Sequence, residues 1–513
     1  MIINKMVIYK ISNIKINAFL VIIFCKIFSI IGNDINDNKK NTIILDIKTA
    51  NIDKTILEKE RKEKNYYNLI INRLVPNNLY IDFAINSENV KIPGYLTFTT
   101  QYNYYGTDTC LQLENDNTFN ISASVDYLPS FQLNSEYQKY FYLKENISIY
   151  DIEKNSINID NIDIVLPENN ENKASCLIVG LNPIMNLKQY KGMHNLPLSI
   201  KSNKIKNNFQ TYLTILYNIS NGIMLLGNPP HIIYPNLFNI KNYKEIQNYN
   251  MKQDLSSFYI KNHNIWSLKI DQIYFGNKSY SENQIFTSQF SLDYIPFMVP
   301  MEVFRKYLSY GLDFYISKNI CTQKGRPLSN KFAHSIANDK RQTFVFISCD
   351  KNKIENISEF YERMPDFSLR NKELNKTFIF KGKDLFFEES NFLVLMIMPD
   401  LFNKVVITLG KIFMEKYLFC FNYDRNVIGF YDESISWGNN KFKSNIINES
   451  KFPVELIFVL IFIFFTICFL FFMIKFFRGK KNKGNIIMQN DDNKDKDDLI
   501  ERELIDVKGE NEN

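Results

Sequence analysis

The sequence predicts an all-β, bilobal body followed by a single C-terminal transmembrane helix. Three observations carry that expectation. Short apolar and aromatic stretches separated by turn residues recur in two series, one starting at Asn78 and the other near Asn208. Their spacing of about 8–12 residues is that of strands and turns. A run of 19 residues, 456–474, carries no charge. Finally, Val405–Phe430 reads as a buried strand, a glycine, one amphipathic turn and a hairpin. Val405, Val406 and Ile407 lead into Leu409-Gly410; the apolar run Tyr417–Phe421 follows; Asn422–Asn426 forms a polar corner; Val427–Phe430 closes.

Composition bounds the rest. The chain has 513 residues, enough for two or three domains at ~150 residues each. Hydrophobic residues make up 45% and aromatic residues 15%, so apolar material for a core is plentiful. The net charge of +6 is small for this length and shows no basic stripe ahead of the apolar run, which argues against nucleic-acid binding.

The two ends suggest a secretory route. Lys5, Lys10 and Lys15 precede the apolar stretch Ile16–Cys25, with a polar exit at Gly32-Asn33-Asp34, the pattern of a signal peptide over 1–32. The run 456–474 would span roughly 28 Å as a helix, close to a hydrocarbon core. Lys475, Arg478, Lys480, Lys481 and Lys483 follow it, which puts the C-terminus on the cytoplasmic side and makes the chain a type I single-pass membrane protein of the secretory pathway or cell surface. The polar tail, 475–513, reads as disordered. Residues 33–77 read as a linker or pro-segment, 78–207 as the first lobe and 208–447 as the second. Seven sequons, at Asn120, Asn146, Asn218, Asn277, Asn356, Asn375 and Asn448, point to a glycoprotein.

Metal, cofactor and common hydrolase chemistry find no support. Setting aside Cys25 and Cys468 in the apolar ends, five cysteines remain, none in a CxxC pair: Cys110, Cys176, Cys321, Cys349 and Cys420. An odd number leaves one thiol unpaired or bonded to another chain. His194, His231, His263 and His334 are scattered, and there is no HExxH, no Gly-x-Ser-x-Gly and no phosphate-binding glycine loop.

The order of the landmarks resembles the pepsin-like aspartic proteases. Val405–Phe430 is similar to that family's C-terminal signature. Cys176–Leu181 resembles its first-lobe apolar-glycine element, and Gly222–Gly227 its glycine-bounded hairpin. Trp266-Ser267-Leu268, Ile273–Gly276, Met364–Phe367 and Phe380–Phe386 resemble further family segments. The resemblance implies two lobes with a cleft between them, and a second-lobe disulfide joining Cys321 to Cys349.

It also implies two Asp-Thr/Ser-Gly triplets, one per lobe, whose carboxyls share a proton and activate water. Neither triplet is present. Counting along the motifs puts Thr99, with Thr100 and Gln101, at the first site. Ser291, with Leu292 and Asp293, falls at the second. Asp108 and Asp293 form the fallback carboxylate pair of an unorthodox enzyme. The closing hairpin of the family has its counterpart at Tyr142–Glu145, without glycine.

The expectation is a folded protease homologue without hydrolytic activity. It binds a peptide or protein in a cleft lined by Thr99, Thr100, Tyr142, Ser291 and Asp293, with no metal or cofactor. An active endopeptidase using Asp108 and Asp293 and a structural surface glycoprotein are the competing readings.

Overall fold

The computed structural model describes residues 41–49, 79–85, 90–98, 103–106, 119–120, 128–132, 139–167, 173–174, 176–183, 195–203, 209–217, 221–249, 265–280, 284–293, 295–327, 343–401, 404–432, 466–467, 469–471 and 473–474. The chain divides into two units, Met1–Asn440 and Lys441–Asn513. All the strands among the described residues lie in the first. Its architecture is mostly β with few and short helices, and fits an all-β bilobal fold.

The strands form where alternation and burial demand them. Ile43–Thr49 places Ile43, Leu45 and Ile47 in the core, while Lys48 is exposed. This strand falls inside the stretch 33–77, read from the sequence as a linker or pro-segment. It pairs along its length with Asn221–Gly227 and at its end with Leu79–Ile85. Cys176–Gly180, Val406–Leu409 and Leu418–Asn422 are buried at every position, as strands covered on both faces must be.

One topological unit occurs twice. In the first copy five strands follow in chain order: Leu79–Ile85, Val90–Thr97, Asn103–Gly106, Ser156–Pro167 and Cys176–Gly180. Their order in the sheet is first, second, fifth, third, fourth. The second strand runs antiparallel to the first and parallel to the fifth; the fifth is antiparallel to the third, which is parallel to the fourth. In the second copy the strands are Ser267–Ile270, Phe286–Phe290, Phe297–Pro300, Ile397–Asp400 and Val406–Leu409. Order and senses are the same. Two copies of so particular an arrangement are the physical content of the two lobes.

A platform continues the first copy's sheet. Beyond Ile43–Thr49 it adds Asn221–Gly227, Tyr212–Tyr217, Leu418–Asn422, Val427–Tyr431 and Tyr243–Gln247. Strands from the start and the end of the described part of the first unit therefore lie in one sheet. Phe421 projects from this platform to meet Phe98, Phe290 and Trp266, each at a ring separation of 5.1 Å. These rings join the two copies through a shared apolar core.

The second copy carries additional elements. The helix Met301–Gly311 starts directly after Pro300 and buries Val303, Phe304, Tyr307 and Leu308 on one face. Cys321 and Cys349 are directly opposed across paired strands and form the disulfide that the resemblance implied. Cys176 is also disulfide-bonded, while Cys420 is free and buried.

The signal-peptide stretch 1–32 lies outside the described residues. Of the run 456–474, residues 466–467, 469–471 and 473–474 are described, all helical. Among the described residues no helix is long and apolar enough to cross a membrane.

Candidate functional site

The site is built where the second and fifth strands of each copy end. In the first copy, Thr97 is the Cα partner of Gly180, and the Leu181 amide donates to the Thr97 carbonyl at 2.8 Å. In the second, Phe290 partners Leu409, which sets Ser291 against Gly410. The Ser291 amide donates to the Leu409 carbonyl at 3.0 Å. By register, then, Thr97 is the counterpart of Ser291. The motif count had reached Thr99, two residues further on. Thr99, Thr100 and Asp108 lie outside the described residues.

Asp293 connects the two strand ends. Its carboxylate Oδ2 accepts from the Thr97 hydroxyl at 2.8 Å, and its backbone N–H donates to the Ser291 Oγ at 3.1 Å. Thr97, Ser291 and Asp293 are all buried, Asp293 with 6% of its surface exposed. A buried carboxylate is costly unless hydrogen-bonded and charge-balanced. The Asp293 carboxylate also acts electrostatically on Lys411, which sequence reading passed over.

Lys411 is the first residue of the helix Lys411–Lys416, directly after Gly410. It is only 4% exposed. Burial pulls its ammonium down to about 7, against the opposing pull of the Asp293 carboxylate. A signal was present in the sequence: one lysine stands between Leu409-Gly410 and Ile412-Phe413-Met414, in an otherwise apolar run. Gly410 itself is required by close approach, since a Cβ there would lie 2.1 Å from the Pro296 carbonyl oxygen and 2.6 Å from that of Ile295.

A second set of polar contacts ties the copies together beside this group. The Asn182 amide donates to the Phe98 carbonyl, and its Oδ1 accepts from the Trp266 backbone N–H at 3.2 Å. The Trp266 indole donates to the Leu181 carbonyl at 2.9 Å, and the Tyr423 hydroxyl donates to the same oxygen at 2.5 Å. Asn195 donates to the Asn182 carbonyl at 3.0 Å. None of these roles was legible in the motifs.

Tyr142 does not sit at a hairpin tip. It lies within the strand Lys139–Tyr150, paired with Leu128 on one side and Val165 on the other. A residue with ladder partners on both sides is part of the sheet, and the strand that carries Tyr142–Glu145 is one arm of a hairpin. The turn of the hairpin formed by Lys139–Tyr150 and Ser156–Pro167 is at Asp151–Asn155, where Asp151 Oδ1 accepts from the Asn155 amide at 2.8 Å.

The described site thus comprises one carboxylate, two hydroxyls and one ammonium. Among the described residues no group of three or more His, Cys, Asp or Glu side chains is placed to hold a metal ion.

No family model matches the chain, and no curated protein matches it. Among solved structures it is similar to basic 7S globulin from soybean, with a TM-score of 0.47 and 11% identity over 77% of this chain and 95% of that one.

Proposed function

We propose that this chain is a non-hydrolytic homologue of the pepsin-like aspartic proteases, anchored by one C-terminal span, that holds a peptide or protein between its lobes. The family motifs in the sequence and the twofold occurrence of one five-strand arrangement support the first part. The observation that carries the functional part is the 2.8 Å bond between Thr97 and Asp293. A carboxyl pair activates water by sharing one proton between two acids of similar strength. Asp293 instead meets a threonine hydroxyl and is electrostatically coupled to an ammonium. A hydroxyl does not ionise where carboxyls titrate, so among the described residues one partner of the acid–base exchange is missing.

The test uses full-length protein in detergent micelles, incubated with denatured protein substrate from about pH 3 to 7. The expected result is no cleavage above that of a Asp293→Asn variant. Cleavage blocked by pepstatin and lost in Asp293→Asn overturns the reading and favours the Asp108–Asp293 enzyme. For the anchor, a C-terminal tag protected from external protease in sealed cell-derived vesicles of known orientation reports which side the tail occupies.

A further inference from the structure

We propose that residues 41–49 are a permanent strand of the mature protein, bound in a slot between Leu79–Ile85 and Asn221–Gly227, so that any N-terminal trimming stops ahead of them and a cut between 49 and 79 leaves a two-chain protein. The inference is independent of whether the chain cleaves peptides.

The strand Ile43–Thr49 lies inside the sheet and not at its edge. On one side six successive residues, Ile43 to Lys48, face Leu226 to Asn221. On the other, Lys48 and Thr49 face Tyr80 and Leu79, Leu45 bridges Asp151, and the Ile152 N–H donates to the Ile44 carbonyl at 2.8 Å. Taking out an interior strand leaves two open edges, each a row of backbone groups without partners. It also strips the core. Ile43, Leu45 and Ile47 are each at most 1% exposed and share one apolar cluster with Ile81, Phe83, Met224 and Leu226. Removal of all of 33–77, as a pro-segment, would take this strand with it.

The slot is shaped to its occupant. Gly227 has a φ of +122°, and a Cβ there would lie 2.4 Å from the Asn41 carbonyl oxygen and 3.1 Å from the Thr42 Cα. The body therefore makes room for the residues that enter the strand as well as for the strand itself. Lys48 forms an ion pair with Asp82 on the neighbouring strand. Register is fixed by the alternation: a slip of one residue would carry Asp46 and Lys48 into the core.

All the partners named here lie at residue 79 or beyond. Thr49 and Leu79 are themselves ladder partners, so the sheet sets the strand's place. The connection 50–78 raises the effective concentration of the strand and supplies none of these contacts. A segment held in this way stays after the connection is cut.

Two measurements test the proposal. Peptide mapping by mass spectrometry, on protein isolated from the cells that make it, should find peptides from 41–49 in equal proportion to those from Asn221–Gly227. A body that starts beyond Thr49 and lacks them overturns the proposal. The otherwise full-length chain deleted of 41–49 should lose its cooperative thermal transition in micelles, and refolding with the synthetic peptide 41–49 should restore it. The same peptide carrying Leu45→Asp should bind at least about tenfold more weakly, because it places a carboxylate where a leucine is buried. A deleted chain as stable as the parent without peptide, failure of the peptide to restore the transition, or equal binding by the two peptides each overturns the proposal.

Discussion

Trp266 and Tyr423, 157 positions apart in the chain, converge on a single backbone oxygen, that of Leu181, which accepts the indole N–H at 2.9 Å and the phenol O–H at 2.5 Å. Their rings meet edge to face at 5.2 Å. Burial holds the Tyr423 phenol well above its ordinary value, so it remains a donor. The Leu181 carbonyl lies one residue beyond the strand that ends at Gly180, so this convergence fixes the end of one repeat against the other.

Removing one donor should leave the carbonyl satisfied by the other. Trp266→Phe and Tyr423→Phe are each expected to cost about 1 kcal/mol from the lost bond, with additional packing loss for the tryptophan. The double variant should cost more than the sum, because it alone leaves a buried carbonyl without a donor. A double-mutant cycle in urea measures the difference.

Thr97→Val keeps the shape of the side chain and deletes the hydroxyl that donates to Asp293. The buried carboxylate then lacks that donor, and the expected destabilisation is about 1–3 kcal/mol. Urea unfolding of Thr97→Val against the parent protein measures the loss, and an unchanged stability would contradict this account.

Gly410→Ala should be among the more damaging single-methyl additions. The added carbon would clash with two backbone oxygens, those of Pro296 and Ile295, which cannot rotate away. Overpacking costs about 1–3 kcal/mol, and the upper end is expected here. By contrast, Gly276 has open space for a Cβ, but its φ of +57° makes any side chain strained. A smaller loss, about 1 kcal/mol, is expected at that position. Thermal unfolding of the two variants compares them.

The cysteines should separate by reactivity. Cys420 is buried and its thiol is pushed up to about 12, chiefly by burial, so native protein at pH 8 should not be alkylated there. Labelling should appear in denaturant without reductant. Cys321 and Cys349 should label only after reduction, and replacing both by alanine should cost about 3–4 kcal/mol for a separation of 28 residues. Peptide mapping by mass spectrometry distinguishes these sites.

Much of the fold was readable because its carriers are local. Apolar runs ending in glycine marked Cys176–Gly180 and Val406–Leu409, and a polar corner marked the hairpin of Leu418–Asn422 with Val427–Tyr431. Ile43–Thr49 was missed because a seven-residue alternating strand stands next to strongly charged segments. Counting from motif to motif placed the first-lobe position at Thr99, since such a count cannot measure strand register. The ladder places Thr97 against Gly180. Tyr142–Glu145 was matched to the closing hairpin by family motif, which does not measure the distance from Tyr142 to the turn at Asp151–Asn155.

By itself the sequence determined an all-β chain in two series, the absence of paired Asp-Thr/Ser-Gly triplets, and the residue types available at the lobe ends, because periodicity and motif spacing are properties of neighbours along the chain. Tertiary structure alone decided that Asp293 meets Thr97, that Lys411 is buried, and that Leu181 receives both Trp266 and Tyr423. Those pairings join residues far apart in the chain. They arise when strand register and the packing of the two copies bring the groups within hydrogen-bonding distance and exclude water, and only then do burial and charge acquire their cost.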